Sequence, residues 1–326
     1  MTALAPGRFQ HTAVRHSAPE ELTDALLPFV ESALQSGDRV FVNLGADGCD
    51  RLRDAVGADA ERIRWTDSST WHPHPSRRLR AIQDLVDEEA PVSGALGRML
   101  FIGQCPFDSA DPDLVTEWER FDAVLNHALG GAPADMVCAY DAVTLPAEVI
   151  ARVPSAHSHL AADDGTTGGP SVSAEYVEPE DYLLAHQIEL APLPSGAARV
   201  RGRVKPSEAR ALVRAVVRPD DAVSRARIED LVVAASEIVT NAWNARATSV
   251  DFACWHADGE IGIQVDDDGP GLTDPLAGYR RPDMTATGGR GLWIVRQLAD
   301  LVQIASGSHG TSVRARIRDG SRTASS

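Results

Sequence analysis

Glu237 and Asn241, in the run ASEIVTNAWNA, lie four residues apart and would share one face of a helix. A carboxylate and a carboxamide placed this way offer a proton acceptor and an oxygen ligand for Mg2+; the same pair also fits a solvated helix face. Further along, VDDDGPGL ends a strand-like run with Asp267, Gly269 and Gly271. Here a carboxylate can accept a hydrogen bond from an exocyclic amine, beside glycine backbone that a ligand can approach closely. Alone, this pattern equally describes an acidic turn or a cation-binding loop. Gly288, Gly289 and Gly291, in TGGRGLWIVRQLAD, precede a helix, where unbonded amides and the positive helix end can meet phosphate. The sequence has no GxxxxGK[ST] and no GxGxxG opening a βαβ unit, so these glycines serve neither a P-loop nor a dinucleotide fold.

The elements that must position these residues follow from periodicity. Helices are predicted over 206–217 and 225–246, strands over 249–256 and 260–266, a helix from near Gly291, and a last strand over 311–317. Helices laid on a mixed sheet make an α+β layer. Upstream, short β-rich runs alternate with amphipathic helices, which favours a parallel sheet covered on both faces. The clearest helix is PEELTDALLPFVESALQSG, with Leu22, Leu26, Phe29, Val30, Ala33 and Leu34 on one face, Pro19 near its start and Gly37 past its end. Strands are predicted over 39–44, 62–66, 99–102 and 135–139, with helices around 77–87 and 112–129. Trp118 and Phe121 fall on the apolar face of the second helix and read as core. Between 154 and 197 the composition turns to Ser, Gly, Pro, Asp and His, which reads as a linker, at least in its first half.

The order ExxxN, DxGxG, GxGL and a late Gly-Thr (Gly310, Thr311) resembles the N, G1, G2 and G3 boxes of the GHKL, or Bergerat-fold, ATPases. The wording SEIVTNA, with Glu where typical histidine kinases carry His, is similar to the anti-sigma-factor serine/threonine kinases within that group. The resemblance covers about 200–317. It implies that Asp267 binds adenine, Asn241 holds Mg2+, and Glu237 acts as general base or water activator. It also implies that Gly269, Gly271, Gly289, Gly291 and Leu292 belong to the ATP site, with the last glycines shaping the phosphate lid and Thr311 close to the adenine. ATP and Mg2+ would be the cofactors, and the acceptor a hydroxyl on an anti-anti-sigma (STAS-type) protein that controls a sigma factor. Phosphoryl transfer of this kind depends mainly on positioning and on Mg2+ neutralising developing charge. The chain departs from the pattern in one place: where many relatives continue NAxxHA, it reads Asn241-Ala-Trp-Asn-Ala245-Arg246, without the histidine.

The N-terminal segment, read as domain 8–153, resembles the MEDS sensory domain. The residues that carry this are HTAVRHS from His11, GDRVFVNL, EWERFDAVLNHAL from Glu117 and MVCAYDAVTLP from Met136. The DPLAGY run from Asp274 resembles the stretch after the G1 box in fusions of the two modules. The family implies a RecA-like α/β sensor that has lost its phosphate loop, in keeping with LGADGC at 44–49, which carries no Lys-Ser/Thr. The expected organisation is the sensory domain, a linker over 154–197 and the ATPase domain over 198–318.

Composition limits the other functions. With 47 acidic against 31 basic residues the net charge is −16, so direct nucleic-acid binding would work against the overall field. No apolar run spans a bilayer and the start lacks the apolar centre of a secretion signal, so a cytoplasmic protein with no membrane partner is expected. The four cysteines, Cys49, Cys105, Cys138 and Cys254, form no CxxC pair and read as ordinary buried thiols. His72, His74, His157 and His159 read as loop histidines without a ligand role. His186 does not sit in a usual phosphoacceptor box. A non-catalytic ATP-dependent protein-binding switch and an atypical sensor histidine kinase stay open beside the serine/threonine kinase, as does a homodimer.

Overall fold

Contacts divide the chain into two units, Met1–Tyr182 and Leu183–Ser326. The computed structural model describes residues 9–89, 98–107, 111–161, 169–217, 222–257, 259–282 and 289–318.

The first unit is an α/β layer. Strands β1 (Gln10–His16), β2 (Arg39–Leu44), β3 (Ile63–Asp67), β4 (Met99–Gln104) and β5 (Ala134–Asp141) pair in parallel in the order β3-β2-β4-β5-β1. Between them run helices α1 (Pro19–Ser36), α2 (Ala46–Val56), α3 (Pro75–Glu89) and α4 (Pro112–Ala128). In β5 every residue but the last is buried, the continuous burial of a strand covered on both faces. Helix α1 starts with Pro19 in its first turn and ends where Gly37, at φ 77°, returns its N–H to the carbonyls of Ala33 and Leu34. Leu22, Leu26, Val30, Ala33 and Leu34 form its buried stripe, whereas Phe29 is only partly buried at its edge. Trp118 and Phe121 of α4 are core residues, packed edge to face at 5.1 Å.

The segment 154–197, read as a linker, is built into the fold where it is described. Helix α5 (Ala147–Ala156) enters it, and β6 (His159–Leu160) then adds to β1 in parallel, with β7 (Ser171–Val172) antiparallel beyond. Small polar residues hold it through bonds to distant backbone. Ser158 Oγ donates to the His11 carbonyl, Ser173 Oγ donates to the Pro154 carbonyl, and the Val177 N–H bonds the Ser155 carbonyl. Helix α6 (Pro179–Ala185) follows at the boundary of the units.

In the second unit β8 (Ala198–Val200), β9 (Val250–Ala257), β10 (Glu260–Asp267), β11 (Leu301–Gly307) and β12 (Gly310–Arg318) lie in the order β11-β12-β10-β9-β8. All neighbouring strands here are antiparallel, not mixed, because β9–β10 and β11–β12 are successive hairpins and β12 pairs back onto β10. Val250, Phe252 and Cys254, then Ile261, Ile263 and Val265, then Val313, Ala315 and Ile317 alternate along their strands into one buried core. Helices α7 (Pro206–Val216), α8 (Ala222–Asn244) and α9 (Arg290–Leu298) supply the rest of it through Val213, Leu231, Ala235, Ile238, Ala242 and Val295. No helix among the described residues is long and apolar enough to cross a membrane.

Candidate nucleotide site

Strand period carries the core row one step further, to a polar pair. Asp267 continues 261, 263 and 265 on β10, and Thr311 precedes 313, 315 and 317 on β12; the two are register partners. Both therefore stand at the end of the sheet face that the helices cover. Three consecutive aspartates meet there with different partners. Asp266 accepts from Gln264 and Ser312, and Asp268 accepts from the Thr248 and Ser249 amides, which closes the turn into β9. Asp267 instead accepts main-chain bonds, from Gly269 at 2.9 Å and from Thr311. Burial lifts its carboxyl above the usual carboxylate range, and these two amides pull the other way.

Glycines set the approach of backbone around it. Gly310 has φ 134°, and a Cβ there would lie 1.8 Å from the Asp267 carbonyl oxygen. Gly271, at φ 87°, would place a Cβ 2.4 Å from the Gly307 carbonyl oxygen. Leu272 donates its N–H to Ser306 Oγ at 2.6 Å, and that hydroxyl meets Thr311 Oγ1 at 3.2 Å, so the DxGxG turn is fastened to the β11–β12 hairpin.

Helix α8 presents Glu237 and Asn241 on one partly exposed face, while Ile238, Val239 and Ala242 turn into the core. Asn241 reaches the start of α9: a Cβ on Gly291 would stand 2.5 Å from Asn241 Nδ2. The asparagine and this glycine are thus packed together across two helices. Gly289 is the N-cap of α9 at φ 80° and, being glycine, brings no capping side chain of its own. Gly288 and the rest of 283–288 lie outside the described residues. Leu292 is buried in the core beneath α9, where it anchors the helix.

The DPLAGY run packs against α9. Asp274 accepts the Leu276 N–H at 2.8 Å, a Cβ on Gly278 would come within 2.8 Å of Leu292 Cβ, and Arg296 stacks over the Tyr279 ring at 3.7 Å. At the end of α8, Arg246 takes the left-handed conformation at φ 65° and its N–H bonds the Trp243 carbonyl. Ala245, the position of the missing histidine, lies beside the DxGxG turn, its carbonyl oxygen 3.6 Å from where a Gly269 Cβ would be.

Residues 202–317 match the family described as histidine kinase-like ATPase domain, and residues 10–158 match MEDS, the methanogen/methylotroph DcmR sensory domain. The chain joins a MEDS domain to a histidine kinase-like ATPase domain. No curated protein matches it. The ATPase match runs from before α7 through β12 and so contains all the predicted site residues, while the MEDS match stops one residue short of β6. Membership makes the second domain an ATP-binding, kinase-like one. Its side chains fit that nucleotide: a half-buried carboxylate at a strand end suits an exocyclic amine, and an asparagine against a helix start with glycine at its N-cap suits phosphate and its cation.

The sequence reading missed β11 and the Ser306 hydroxyl that ties the two glycine turns together. Its signal was the run LVQIASG, whose Leu301 and Val302 are buried beside a buried Gln303.

Proposed function

We propose that the chain is a signalling kinase that binds ATP with Mg2+ in its second domain and transfers the γ-phosphoryl to a serine or threonine hydroxyl of an anti-anti-sigma, STAS-type partner. The observation that carries the reading is the packing of Asn241 on Gly291, in the domain whose β10 ends in Asp267 opposite Thr311. In this reading Asp267 accepts from the adenine amine, with Thr311 holding the carboxylate through its amide. Gly269 and Gly271 keep that wall thin. Asn241 offers its carboxamide oxygen to the cation, and Gly289, Gly291 and Leu292 shape and anchor the α9 start against the phosphates. Glu237, one turn before Asn241, takes the proton of the incoming hydroxyl. Bound Mg2+ would supply neutralisation of the charge that develops on the phosphoryl oxygens.

The test is incubation of the purified full chain with γ-labelled ATP and a panel of STAS-type proteins. Acid-stable label on a serine or threonine of one of them is expected; ATP-dependent capture of a partner with no phosphorylated product would replace the kinase with a binding switch. Ala245 motivates that second reading, since it stands where the NAxxHA pattern of the resemblance carries a histidine. A histidine kinase is disfavoured by the seven-residue length of α6, the helix immediately before His186. Independently of transfer, Asp267→Asn should weaken ATP binding by roughly tenfold to a hundredfold, the cost of losing a charge-assisted acceptor. Titration calorimetry reads this directly, and unchanged affinity would remove Asp267 from the adenine site.

A further inference from the structure

Far from the ATP residues in sequence, the MEDS domain buries four metal-ligating side chains against one another. His11 of β1, Asp122 of α4, Cys138 of β5 and His157, which follows α5, are all buried, and their ligand atoms lie within 4.8 Å of one another. His11 and Cys138 stand on the same face of neighbouring strands, diagonal across the β1–β5 register, with His11 Nε2 3.2 Å from Cys138 Sγ. The His11 and His157 rings are 4.0 Å apart. His157 is thus a core residue, not a loop one.

The hydrogen bonds leave this cluster rich in acceptors. His157 Nδ1 lies 2.8 Å from the Val153 carbonyl oxygen, which assigns the proton to Nδ1 and leaves Nε2 a bare lone pair. The Tyr140 hydroxyl has one proton and faces two acceptors, Asp122 Oδ2 at 2.6 Å and His157 Nε2 at 3.2 Å. Asp122 Oδ1 meets the Cys105 thiol at 3.8 Å, a contact that orients the carboxylate from its other side. The outer nitrogen of His11 is also held, 3.3 Å from Asn126 Nδ2. Metal-ligating histidines characteristically donate their second ring N–H to a carbonyl or carboxylate, as His157 does to Val153, and the Ala156 backbone also bonds the His11 ring.

We propose that His11, Asp122, Cys138 and His157 form a binding site for one divalent transition-metal ion of the zinc class. Two imidazoles, a thiolate and a carboxylate are the donors that tetrahedral Zn2+ or Co2+ selects over Mg2+ or Ca2+. Bond lengths of about 2.0 to 2.3 Å put tetrahedral ligand atoms about 3.3 to 3.7 Å apart, so the cluster closes onto an ion by small side-chain rotations. On binding, Cys138 loses its proton to solvent; its thiolate and the Asp122 carboxylate then balance the dication, and the buried centre is neutral. The ion would tie the neighbouring strands β1 and β5 to α4 and to the chain leaving α5, so metal supply would control how firmly the sensory domain is held.

The test uses the full chain stripped with a chelator and titrated with Co2+ alone. One equivalent should produce a thiolate-to-cobalt charge-transfer band with the visible bands of a tetrahedral site, and Zn2+ should bleach both. Cys138→Ser should abolish the charge-transfer band and His157→Gln should weaken binding by about tenfold or more. A Cys49→Ser, Cys105→Ser, Cys254→Ser triple variant, which keeps Cys138 as its single cysteine, should retain the band and so covers the case in which Cys138→Ser does not fold. No thiolate band in the unaltered chain, or a band lost from the triple variant while it remains folded by circular dichroism, overturns the site.

Discussion

Gly310→Ala is expected to destabilise the ATPase domain by about 4 kcal/mol or more, a fall of roughly 20 °C in its melting transition. The added Cβ would sit 1.8 Å from the Asp267 carbonyl oxygen and 3.2 Å from Asp268 Cα. These are main-chain atoms of the neighbouring strand and cannot rotate away as a side-chain tip would. Gly310 also holds φ 134°, a region that alanine enters only with strain. Relief requires β12 to peel from β10 at the Asp267–Thr311 pair, which is where the amide of Thr311 reaches the Asp267 carboxylate. The variant should therefore lose ATP affinity together with stability. Calorimetric scanning of the full chain resolves the effect from the MEDS transition, and a shift of less than a few degrees in the ATPase transition would show that β12 yields without cost.

That coupling explains which parts of the site could be read from the chain alone. Glu237 with Asn241 and Asp267 with its glycines are local patterns: a helix brings residues four apart together, and a strand puts alternate residues on one face. The parallel α/β and helix-on-sheet layers were legible for the same reason. What escaped was set by non-local partners. Helix α2 is not among the predicted helices; it takes in Gly48, where a Cβ would stand 3.4 Å from Leu44 Cβ and 3.6 Å from Leu22 Cδ2. The Ser- and His-rich stretch after 154 reads as a linker because its composition shows nothing of Ser158 bonding His11 or of Ser173 bonding Pro154. The His11, Asp122, Cys138 and His157 cluster draws on positions with no sequence spacing in common; only the parallel pairing of β1 with β5 and the return of the chain after α5 assemble it.

Glu237→Gln should lower phosphoryl transfer to the partner by about 10²- to 10⁴-fold while leaving ATP affinity within about twofold of the unaltered chain. Glutamine keeps the length and polarity of the side chain and removes its capacity to accept a proton. Glu237 sits on the same partly exposed face as Asn241, and the contacts that hold the nucleotide end of the domain run instead through Asn241 with Gly291 and through Asp267 with Gly269 and Thr311. Binding and transfer should accordingly separate in this variant, as they cannot in one that disturbs the Asn241–Gly291 contact. Single-turnover transfer with saturating ATP isolates the chemical step from binding. Transfer that persists near the unaltered rate would remove Glu237 as the base and leave positioning alone to account for the reaction. If the unaltered chain gives no transfer at all, the residue has no base role to lose, and the ATP-bound state acts through the surface it offers a partner.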